Sequence, residues 1–114
     1  MIVTRETICA AYVFLRQTPP FNRWRLPEPG EVRFTVLRKA QHYGDHEFLN
    51  GRHHIRVSIF KHRHLLTLLK TVAHEMIHMH ETRTNRNGSS GHGKGFYRRA
   101  AQVCKHHGWD VGDL

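Results

Sequence analysis

The chain predicts an α+β domain in which an N-terminal helix is followed by a small antiparallel sheet and then by two helices. Three observations carry this reading. Apolar residues recur at helical spacing near both ends and again in the second half of the chain. Between them lie segments where apolar and polar residues alternate, and an Asn-Gly pair separates two extended runs. At 114 residues, one domain with a modest core is expected.

Each element has its own signal. Thr4 can cap a first helix whose Ile8, Ala11, Tyr12 and Leu15 share one side, stopping before Thr18-Pro19-Pro20. A proline-rich connector follows, through Pro27, Pro29 and Gly30. Val32, Phe34 and Val36 alternate with Arg33 and Thr35, as in a half-buried strand. A second strand is expected at His54 to Phe60, with Ile55, Val57 and Ile59 on one face. Glu47-Phe48-Leu49, just before Asn50-Gly51, can pair with it as a hairpin. A long helix is expected from Arg63 to Thr82 and a last one from Lys94 to His107. There is no internal repeat or low-complexity tail.

The long helix contains His74-Glu75-Met76-Ile77-His78, the pattern His-Glu-x-x-His. Residues four apart on a helix differ by about 40° in azimuth and stand one turn apart, so both imidazoles can address one zinc ion. Glu75 projects from the next azimuth, towards a water beside the metal. The helix is well formed around the motif: Leu65, Leu66, Leu68, Leu69, Val72, Ala73, Met76 and Ile77 make a wide apolar surface, and no Gly or Pro interrupts Lys61 to Arg83. Paired imidazoles on such a helix need a partner, and a shared metal supplies one. The layout is that of an α+β zincin-like core.

Catalytic zinc usually takes three protein ligands and leaves one position open. A third histidine six residues after the second is excluded, since Thr84 occupies that place. Beyond Glu81 the only acids are Asp110 and Asp113, near the end of the chain. Glu81 suits a supporting carboxylate, and His80 points about 200° away from His78. His92 remains, in Gly91-His92-Gly93, after a polar connector from Thr82 to Ser90 and before the last helix. Glycines on both sides permit the close approach a ligand on a tight turn needs. His106 and His107 are the fallback donors, although their place before Gly108 already suits a helix end.

The signals extend beyond the motif. Phe21-Asn22 and Leu26-Pro27, the run Ile55-Arg56-Val57-Ser58, the His74 to His78 motif, and Gly91-His92-Gly93 followed by Phe96 succeed one another along the chain through to Gly108. In these the chain resembles the SprT-like/Spartan metalloprotease domain. The resemblance implies His74, His78 and His92 as ligands of one catalytic Zn2+ and Glu75 as the catalytic acid/base. It also implies a protease working near DNA, including on proteins crosslinked to it. Many members add a cysteine zinc ribbon. With Cys9 and Cys104 as its only cysteines, this chain is expected to be the minimal core.

In such a core an edge strand holds an extended protein or peptide substrate over the metal helix, and His54 to Phe60 is expected to be that strand. Tyr97 is a candidate donor to the developing oxyanion, its other reading being an ordinary residue of an amphipathic helix. A formyl-peptide hydrolase with this motif would need a cysteine ligand just upstream, which Cys9 does not provide. The rival from another class is a DNA-binding module with a structural or vestigial zinc site.

Composition bounds the partners. The formal charge is +9, from 18 Lys and Arg against 9 Asp and Glu, which suits DNA or another polyanion. Arg23-Trp24-Arg25 and Phe96-Tyr97-Arg98-Arg99 interleave aromatics with cations; such sets stack bases or pack a core. No apolar run is long enough to span a membrane. Residues Ile8 to Leu15 lie between Arg5 and Arg16 and do not read as a signal peptide. A cytoplasmic monomer is expected.

Overall fold

In the computed structural model, which describes residues 1–39, 41–84 and 92–114, Thr4 opens the first helix as expected. Its Oγ1 accepts from the Thr7 N–H at 3.1 Å, and its own N–H donates to Thr7 Oγ1 at 2.8 Å. Helix α1 runs Arg5–Arg16 and buries Ile8, Ala11, Tyr12 and Leu15. The proline-rich connector forms two short 3-10 turns, Phe21–Arg23 and Pro29–Glu31. Tyr12 pins it by donating to the Pro27 carbonyl at 2.6 Å.

Strands β1 (Val32–Leu37), β2 (Gly44–Leu49) and β3 (Arg52–Ser58) follow. The turn between β2 and β3 is the Asn-Gly pair, with φ of 54° at Asn50 and 76° at Gly51. Both angles lie in the left-handed region that a two-residue hairpin turn demands. The hairpin is antiparallel, as predicted, but β1 pairs with β3 in parallel, so the sheet is mixed, in the order β1-β3-β2. Burial explains the departure. Ile55 and Val57 on β3 are fully buried, while β2 is polar and half-exposed. The central place goes to the apolar strand, and the polar one takes an edge.

Val32, Phe34, Ile55 and Val57 form the inner face of the sheet and join α1 and α2 in one core. Helix α2 spans Leu65–Thr84, two residues later at each end than expected, and buries Leu68, Val72, Met76 and Ile77. Helix α3 spans Lys94–His107 as predicted and stops at Gly108, whose φ of 72° suits glycine. Among the described residues no helix is long and apolar enough to cross a membrane. Gly91 and most of the polar connector before it fall outside the described residues.

Candidate metal and active site

Helix α2 presents His74 and His78 one turn apart, both half-buried, with Glu75 between them at only 5% exposure. His92 stands two residues before α3 and is exposed. Two contacts between the helices place it. Phe96 is buried under the imidazoles, its ring centroid 4.9 Å from His74, 4.7 Å from His78 and 4.4 Å from His92. Glu81, near the end of α2, accepts from Arg99 Nη1 of α3 at 2.9 Å. The carboxylate read as supporting thus ties the two helices that carry the site.

The three Nε2 atoms form a triangle with every side 3.2 Å. A neutral ring nitrogen offers either an N–H or a lone pair, so three converging in this way cannot all satisfy one another, whereas one cation among them accepts all three lone pairs. Two nitrogens each 2.0–2.1 Å from a tetrahedral zinc are about 3.3–3.4 Å apart, so the donor set fits that ion. Among the described residues, His74, His78 and His92 are the group able to hold a metal. The sequence reading brought these three together, and the fold places them within reach of one ion.

Burial sets the electrostatics of the metal-free chain. It lowers the pKa of His74 to about 4, helped by His78 and His92, and that of His78 to about 4, helped by His92. Both rings are therefore neutral, as metal ligands must be. Burial, with a smaller contribution from Asp45, raises Glu75 to about 8. A carboxyl at that value sits in the range useful for proton transfer near neutral pH, and a cation beside it would favour its ionised form.

The same shifts make a prediction for the metal-free protein. His46 is lowered to about 3 and His80 to about 4, in both cases chiefly by burial. With His74 and His78, four rings stay neutral when folded and take up protons near pH 6.5 when unfolded. Their stabilisation is complete above 6.5 and is lost as pH falls towards 4. Glu75 acts in the opposite sense between 4.5 and 8, but it is one group against four. Thermal melts of chelator-treated protein should lose at least about 5 °C between pH 7 and 5. A flat profile would show that these rings are not held neutral.

The cleft above the site is walled by β2, not by the expected strand. β3 has β1 on one side and β2 on the other, so neither of its edges is open to a substrate. Instead Gly44 to Phe48 of β2 line a trough of about 470 Å³ with Glu75 and the three histidines. A second trough of about 590 Å³, also lined by Gly44, His74 and Glu75, continues the cleft on the other side. Gly44 is required here, since a Cβ would stand 2.6 Å from the Arg56 carbonyl oxygen and 3.1 Å from Thr71 Cγ2.

Three features of this wall were missed from the sequence. Arg56 donates to Asp45 and to Glu47, both at 2.6 Å, and so clamps β2 from the outer face of the sheet. His46 lines the cleft, with its Nε2 2.8 Å from His53 Nδ1. Ser58 Oγ donates to the Lys39 carbonyl at 2.7 Å and accepts from Phe60 N–H, which shapes the chain leaving β3. Arg56 and Ser58 belong to the Ile-Arg-x-Ser run, which was the only sign of them.

Other candidates lie elsewhere. His80 stacks on Trp24 at 4.4 Å, as its azimuth required. His107 lies 3.2 Å from Thr18 Oγ1 and stacks on Trp109, and His106 is exposed; neither joins the metal group. Trp24 also packs on Phe21 at 5.0 Å, so it belongs with core packing. Tyr97 is 56% exposed, with its ring 6.2 Å from that of His92.

The chain matches the model of the SprT-like family over residues 11–111. The chain belongs to the SprT-like family. The SprT-like match covers nearly the whole chain and takes in all three strands, the metal helix and His92. SprT-like proteins are generally metallopeptidase-like, in keeping with three histidines placed to hold a metal ion. No curated protein matches the chain.

Proposed function

We propose that the chain is a zinc-dependent endopeptidase acting on proteins associated with DNA or crosslinked to it, as a cytoplasmic monomer. The observation that carries the peptidase reading is the convergence of three Nε2 atoms beside a buried carboxyl in a cleft walled by an edge strand. His74, His78 and His92 would hold the zinc. When bound, zinc supplies Lewis acidity towards a carbonyl oxygen and acidifies a water.

The chain's own groups do the rest. Glu75 takes the water's proton at its carboxylate as the water attacks the scissile carbonyl, then returns it to the leaving nitrogen. The outer edge of β2 lies beside Glu75, and its main chain aligns an extended peptide by strand pairing. Recognition through main chain leaves side-chain preference weak and favours unfolded substrate. A purely structural site is the lesser reading: it has no use for a buried carboxyl beside three ligands, and it usually closes with a fourth.

The DNA part rests on charge. Lys94, Arg98 and Lys105 fall within about 40° of one another on α3, with Tyr97 on the flank nearest His92. This stripe carries no acid, since α3 contains none. A single strand laid on it would meet cations for phosphate and one aromatic for a base. Cleavage of an unfolded basic protein should be stimulated by single-stranded DNA at about 50 mM salt, and the stimulation should fade by about 200 mM. Equal cleavage with and without DNA at low salt would remove DNA from the function and leave the peptidase.

A further inference from the structure

The sheet has two edges, β2 and β1, and the metal cleft uses only the first. Along the second, α1 and β1 enclose a groove of about 1100 Å³, lined by Arg5 from α1 and by every residue from Val32 to Val36. Among the described residues β1 pairs with β3 alone. Half of an edge strand's main-chain N–H and C=O groups point away from its partner and stand ready for another strand. The groove is also strongly basic. Arg5, Arg33, Arg52 and Arg56 line it against a single acid, Glu6. Arg56 is already bound to Asp45 and Glu47. Arg5, Arg33 and Arg52 are exposed and form no ion pair among the described residues.

We propose that this edge is a docking site for an extended acidic peptide segment, which adds to β1 as a fourth strand. Main chain and charge select the occupant together. A strand of peptide answers the open N–H and C=O groups of β1, and carboxylates on its alternate residues fall on one face, about 7 Å apart, to meet the arginines. A nucleic acid strand would answer the arginines but not the main chain. The site is separate from the metal cleft and does not depend on its chemistry.

The test uses a fluorescent peptide of alternating Glu and Val, titrated onto Glu75→Gln protein so that the probe is not consumed. Binding should weaken at least about tenfold in the exposed pair Arg5→Glu, Arg33→Glu, whose fold is checked by melting. It should weaken as much when alternate main-chain amides of the peptide are N-methylated, a change that leaves protein and charge untouched. Binding insensitive to N-methylation, and matched by an oligonucleotide of equal charge, would make the groove a general polyanion surface and overturn the proposal. So would binding that survives both arginine changes, which would place the peptide in the metal cleft. No binding at low salt would mean that the arginines merely guard the edge against self-pairing, and would also overturn it.

Discussion

Glu75→Gln should leave zinc binding intact and lower turnover by about 10²–10⁴-fold, the usual contribution of a positioned general base. The substitution isolates the proton chemistry because the two side chains have nearly the same shape. Glu75 is 5% exposed, so the amide fills the space the carboxyl leaves. Burial raises the Glu75 pKa to about 8, so at neutral pH the folded metal-free chain favours the neutral carboxyl while the unfolded chain favours the ionised one. The wild-type carboxyl therefore costs stability above pH 4.5, and the cost grows as pH rises towards 8. Metal-free Glu75→Gln should melt no lower than wild type at pH 7. Loss of activity with unchanged zinc content and melting would assign the proton transfer to Glu75. Activity above about a tenth of wild type would take that role away.

His92→Ala should separate the metal from the fold. Changing a group that merely orients a ligand typically costs 10–100-fold in metal affinity, so removing a ligand should cost more than about a hundredfold. His92 is exposed, whereas Phe96, which anchors the start of α3, is buried. The metal-free variant should consequently melt within a few degrees of wild type. Zinc-loaded wild type should gain stability that the variant does not, because a ligand stabilises the state that binds it. Competition with a chromophoric chelator measures the affinity. Unchanged affinity would move the third position to another donor, and no other histidine among the described residues lies within reach of His74 and His78.

How far the sequence was legible depended on how local each feature is. The helices were readable because their apolar spacing and stop signals act within a few residues, as at Thr4 and Gly108. The β2-β3 turn was readable for the same reason, since Asn50 and Gly51 tolerate positive φ. The three histidines were found by joining a helical spacing to a glycine-flanked residue 14 positions beyond His78.

The strand order was not legible. The parallel pairing of Val32 with His53 joins strands separated by the whole of β2, and no local signal specifies it. The error over which strand borders the cleft followed from that. Arg56 with Asp45 and Glu47, and Glu81 with Arg99, bridge different elements, and only the finished topology brings them together. His46 reads in sequence as one more histidine in a chain that has 12. Only its register opposite Ile55 on β3 turns it towards the metal cleft.

The most direct measurement is digestion of an unfolded basic protein, followed by mass spectrometry, with protein as purified, after chelation, and after one equivalent of zinc is restored. Cleavage at many sites that disappears on chelation and returns with zinc would establish a metal-dependent endopeptidase of broad specificity. Cleavage that persists after complete metal removal, or none from protein holding one zinc at these histidines, would contradict it.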